Sequence, residues 1–64
     1  MIVCYDLIDD RLTWIDPKYV EGFWDTGDGT VEVELVRKPF KILIREDSLE
    51  HRAIKEYFRK ELLQ

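Results

Sequence analysis

Cysteine is almost missing from this chain: Cys4 is the only one in 64 residues. A single thiol excludes an intramolecular disulfide and cannot build a thiolate zinc cluster within one chain. Small secreted domains usually depend on such cross-links, so a cytoplasmic location is expected. Histidine is equally scarce. His51 stands far along the chain from Cys4, and a thiol nucleophile without a neighbouring base is an inert one; Cys4, between Val3 and Tyr5, is expected as a buried, unreactive thiol. Long hydrophobic runs are missing too. The best, Ile2 to Ile8 and Phe40 to Ile44, are broken by polar residues, so neither a signal peptide nor membrane insertion is expected. Three glycines and two prolines leave no linker and no low-complexity tract, and one domain over residues 1–64 follows.

What is present is apolar content of 45%, too much for a disordered chain, and a charge of −4 that is unevenly spread. Residues 1–34 hold nine acids against two bases, a balance of −7, whereas residues 35–64 hold eight bases against five acids, a balance of +3. The two halves are expected to attract one another, or to pair with a copy of the chain or a charged partner protein. Duplex DNA rewards Lys and Arg, so nucleic acid is an unlikely partner for so acidic a chain.

Hydrophobic periodicity predicts five strands and a helix, an α+β fold built as a small antiparallel β-meander with one C-terminal helix packed on one face. Strands are expected at 2–8, 11–15, 19–24, 30–36 and 40–45, and the helix at 48–63. A two-residue turn at Asp9-Asp10 would set Leu7 opposite Leu12 and Tyr5 opposite Trp14, with Val3, Tyr5, Leu7, Leu12 and Trp14 sharing the inward face. Asp16-Pro17 ends that hairpin, because proline cannot donate to a ladder. TVEVELV (30–36) alternates strictly, with Val31, Val33 and Leu35 inward. FKILIR (40–45) does the same, with Phe40, Ile42 and Ile44 inward, and its pairing brings Glu32 and Glu34 beside Lys41 and Arg45. Asp47 is the expected N-cap, with Glu50 completing a capping box. Ala53, Ile54, Tyr57, Phe58 and Leu62 make one apolar helix face, while His51 is expected at the solvent.

FWDTGDGT (23–30) raises the question of chemistry, since Asp25-Thr26-Gly27 is the triplet that bears the catalytic aspartate of aspartic proteases. Such a site needs a second aspartate sharing a proton and a flap over the cleft. A calcium loop would need several more oxygen ligands than Asp25 and Asp28 supply. A hairpin turn explains every residue: Gly27 and Gly29 tolerate positive φ, and the flanking Asp and Thr side chains bond nearby backbone. With no acid–base pair, no activated nucleophile and no phosphate loop, no enzymatic activity and no metal or other cofactor is expected.

The sheet carries the functional reading. Phe23 and Trp24 are adjacent and so point to opposite faces, and Val36 and Leu43 oppose their strands' main apolar sets. One helix covers one face only. Either the sheet curls into a half-barrel or a partner covers the remainder. The candidate interaction surface is therefore Phe23, Trp24, Val36 and Leu43, together with the basic helix stripe Arg52, Lys55 and Arg59.

Several segments together resemble the small flagellar FlbD-like (SwrD-like) proteins: Met1-Ile2 leading a hairpin, DPKYVE (16–21), DGTVEVEL (28–35) and REDSLE (45–50). Ile8-Asp9-Asp10 stands where that family has an LNG turn, the Asp28 hairpin is one residue longer, and two tryptophans are added. The resemblance implies a small cytoplasmic accessory protein that promotes motility, with no catalytic residues. The sequence thus predicts a non-enzymatic protein-interaction or regulatory module whose partner is another protein or a second copy of itself. The alternative is a phage-type acidic inhibitor that mimics nucleic acid, motivated by the acidic first half. Direct nucleic-acid binding through Lys41, Arg52, Lys55 and Arg59 is the third possibility.

Overall fold

The computed structural model describes residues 1–62 and has the expected α+β composition, five antiparallel strands followed by one helix. The strands are β1 (Ile2–Asp6), β2 (Arg11–Ile15), β3 (Val20–Asp25), β4 (Thr30–Leu35) and β5 (Lys41–Arg45), and the helix is α1 (Leu49–Leu62). The Leu62 side chain and residue 63, both assigned above to the helix, lie outside the described residues. The strands divide into two sheets, a β1-β2 hairpin and a β3-β4-β5 meander. Asp16-Pro17 explains the division: the Asp16 carboxylate accepts the Lys18 N–H, and a 3-10 turn, Pro17–Tyr19, replaces strand pairing.

The meander follows its alternation. Val31 pairs with Ile44 and Val33 with Ile42, and all four are fully buried. Each such side chain contributes about 1.5–3 kcal/mol relative to exposure. Lys41 lies opposite Glu34 but closes its ion pair with the diagonal neighbour Glu32 at 3.3 Å, while Arg45 faces Thr30 instead of a glutamate. Phe40 does not turn inward. It precedes β5, in the turn where its carbonyl accepts the Leu35 N–H, and its ring is exposed. In β3 a bulge between Val20 and Gly22 resets the alternation. Val20 and Phe23 both face the core as a result, and Trp24 faces out.

The first hairpin keeps the expected partition of side chains but presents it the other way round. Its loop is four residues long, so Tyr5 pairs with Leu12 and Val3 with Trp14. Those four still share a face, and it is the outer one; Cys4, Asp6 and Ile15 point inward. The cause is Asp6, only 2% exposed, whose Oδ1 accepts the N–H of Ile8 at 3.0 Å and of Leu43 at 3.2 Å. Leu7 donates in turn to the Leu43 carbonyl at 2.7 Å. Because strand side chains alternate strictly, an inward Asp6 forces Tyr5 and Val3 outward. Asp-Asp also lacks the glycine favoured by a two-residue turn; Asp10 takes φ 55° in the longer loop.

Helix α1 closes the core with fully buried Ile54 and with Phe58, which packs against Phe23 at a 5.4 Å centroid separation. Its N-cap is Ser48, whose hydroxyl accepts the His51 N–H at 3.2 Å, and not Asp47, which sits one residue earlier at φ 60°. Glu50 reaches across to β1, accepting the Tyr5 N–H at 2.9 Å. His51 is buried instead of solvated: Nδ1 accepts the Asp47 N–H at 2.9 Å and the ring meets Phe23 edge-on. No helix among the described residues is long and apolar enough to cross a membrane.

Candidate functional site

The turn at 25–30 consumes its own polar groups. Gly27 and Gly29 both sit at φ 88°, a region where a Cβ is strained, and this is what the two glycines provide. Asp25 Oδ1 accepts the Gly27 N–H at 2.8 Å; Asp28 Oδ1 accepts the Thr30 N–H at 3.2 Å and the hydroxyls of Thr26 and Thr30. These bonds hold both aspartates below the ordinary carboxylate range, Asp28 chiefly through the threonine hydroxyls and Asp25 chiefly through Gly27. The neighbouring Asp25 carboxyl pushes that of Glu46 up. That pair lies open to solvent, where water competes for every charge. Among the described residues no group of three or more His, Cys, Asp or Glu is arranged to hold a metal.

The structure separates the residues assigned to an interaction surface. Phe23 is half-buried, packed against the core between His51 and Phe58. Trp24 is exposed and leans over Gly22, its ring 3.7 Å from where a Cβ on that glycine would stand. Leu43 is half-buried on the same outer face, but Glu32 lies between it and Trp24 in register and is paired with Lys41. An ion pair therefore divides the two. Val36 is exposed beyond the end of β4. On α1, Lys55 pairs with Asp47 at 3.7 Å and Arg59 with Glu56 at 2.6 Å, leaving exposed Arg52 outside any ion pair among the described residues. With Arg11–Asp9 and Lys18–Asp16, five ion pairs form among the described residues, and only Lys41–Glu32 joins the acidic half to the basic half.

The contiguous apolar surface lies on the first hairpin. Val3 (43% exposed), Tyr5 (40%), Leu12 (66%) and Trp14 (66%) form two cross-strand pairs on one face. The Tyr5 hydroxyl donates to Asp10 in the hairpin loop. Monomeric soluble proteins rarely leave so many neighbouring large side chains bare. Trp14 also lines a groove of about 580 Å³, together with Tyr19, Arg37, Lys38 and Pro39. The Arg37 guanidinium lies 4.7 Å over the Tyr19 ring, a cation–π contact that orders it.

Sequence reasoning missed Leu12, Trp14, Tyr19, Arg37 and Lys38 as surface-forming residues. The local pattern pointed the other way, since Asp6 shares a phase with Cys4 while the opposite phase of the strand is all apolar. No protein-family model, curated protein or solved structure matches the chain.

Proposed function

We propose that this chain is a non-enzymatic protein-interaction module whose docking face is the outer side of the β1-β2 hairpin. One observation carries the reading: Val3, Tyr5, Leu12 and Trp14 are paired across two strands and stand exposed together. Burial of such a face against a partner gains about 25 cal/mol per Å² of apolar area, and aromatic side chains are the usual anchors of interfaces. The same reading places the chain in the cytoplasm, in keeping with its single buried thiol. An accessory role in motility is the narrower form of the proposal that the flagellar resemblance supplies.

The test is a paired capture. The wild-type chain and a Leu12→Ser/Trp14→Ser variant are immobilised beside a Trp24→Ser control, and light scattering follows each over a concentration series. A partner, or a self-association, that disappears with the hairpin variant and survives in the control supports the reading. Retention by all three chains sinks it. Exposed acids at Asp9, Asp10, Glu21, Asp25 and Asp28 favour the acidic-mimic alternative; it predicts capture of a nucleic-acid-handling protein that fades with salt and ignores the hairpin variant.

A further inference from the structure

We propose that the groove between Trp14 and the Arg37–Lys38 turn binds an acidic peptide segment anchored by an apolar side chain. The inference rests on the docking reading above, because Trp14 belongs to both surfaces. Charge complementarity names the occupant. Arg37 and Lys38 flank the groove, and among the described residues neither has a carboxylate within ion-pair distance, although the chain carries an excess of acids. The acid in the wall, Asp16, is already paired with Lys18 at 3.8 Å and accepts its backbone N–H.

The cation–π contact with Tyr19 at 4.7 Å spends none of the Arg37 N–H donors, which suit a carboxylate. Trp14, Leu35 and Pro39 supply apolar walls for a side chain next to that carboxylate. The volume of about 580 Å³ is in the range of pockets that enclose a few side chains. A nucleic-acid strand fits less well. Its phosphates repeat along the strand, and two cations on a chain of net charge −4 do not offset them.

A phage-displayed library of random nonapeptides, selected on the immobilised chain, tests this directly. The recovered peptides should be rich in Asp and Glu beside an aromatic or aliphatic residue, and their binding should weaken as salt rises. One of them, titrated into the isotope-labelled chain, should shift the amides of Trp14, Tyr19, Arg37 and Lys38. Arg37→Glu/Lys38→Glu should weaken it by at least about tenfold; if the reversal disturbs the turn, Arg37→Gln/Lys38→Gln should still weaken it. Recovery of no peptide, of basic peptides, or of acidic peptides indifferent to these variants overturns the proposal. So does tighter binding of a ten-nucleotide oligothymidylate at the same amides, or a self-association that buries them. A partner that survives the charge reversal but not Leu12→Ser/Trp14→Ser sinks only the groove proposal, whereas a partner that survives both sinks the docking reading.

Discussion

The Asp6 carboxyl accepts the backbone N–H of Leu43 at 3.2 Å, and by that bond the first hairpin is tied to the edge of the meander. The same oxygen accepts the Ile8 N–H, so two backbone donors depend on one almost fully buried side chain. Leaving a buried donor unsatisfied costs about 1–3 kcal/mol. Asp6→Ala is therefore expected to lower stability by about 2–4 kcal/mol, and Asp6→Asn, which keeps an acceptor, by roughly half as much. Urea denaturation of the two variants measures this, and equal losses would contradict the acceptor role.

Trp14 gives the opposite expectation. A core tryptophan replaced by a small residue costs about 3–5 kcal/mol. Here the side chain is on the outer face, so Trp14→Ser should cost no more than about 1 kcal/mol, the worth of its cross-strand pair with Val3. A loss of core size in the same denaturation assay would place the ring inside.

Cys4 is fully buried, and its thiol is pushed up to about 12, first by burial and then by the charges of Glu50 and Asp6. Only the thiolate reacts. At neutral pH the folded chain should resist thiol-specific reagents, and labelling should rise across the same urea range in which the fold is lost. Rapid labelling of the native chain would show that the hairpin does not close over Cys4.

His51 makes stability depend on pH. Burial holds the imidazole below its ordinary value of 6.5 and Lys55 adds to that, against weaker opposing pulls from Asp47 and Asp25. The neutral ring is the one the fold uses, because Nδ1 accepts the Asp47 N–H and a protonated nitrogen cannot. Its contribution is complete above the unfolded-state value and is lost as pH falls through the lower folded-state value. Glu46 runs the other way, since a raised carboxyl contributes at low pH and loses its contribution as pH rises through its folded-state value. It is solvent-exposed and counts for less. The urea midpoint should thus fall as pH is lowered from about 7.5 to about 5.5, and His51→Asn, with an amide oxygen near the Nδ1 position, should flatten that fall. A wild-type midpoint that does not move would remove His51 from this role.

Strict alternation made the β4-β5 hairpin legible from sequence, where charge and hydrophobicity agreed on one register. Helix α1 was equally plain from its apolar spacing. The first hairpin was legible as a hairpin but not in its facing, since greater hydrophobicity favoured Val3, Tyr5, Leu12 and Trp14 for the core. A single long-range acceptor, Asp6, decided otherwise. His51 was misplaced for a similar reason: its burial depends on Phe23 and on the Asp47 amide, neither of which belongs to the helix pattern. The groove was invisible because it forms where two turns distant in sequence approach, and no local periodicity records that approach.

The junction around β1 also bears on the order of events during synthesis. Tyr5 and Asp6 wait for Glu50 and Leu43, partners 45 and 37 positions downstream. Until those residues leave the ribosome, the nascent hairpin has nothing to dock upon, and its inner side is as bare as its outer one. Chains stalled before Leu43 should accordingly be the form most prone to clump or to recruit a chaperone, and the last third of the chain is what releases them from it.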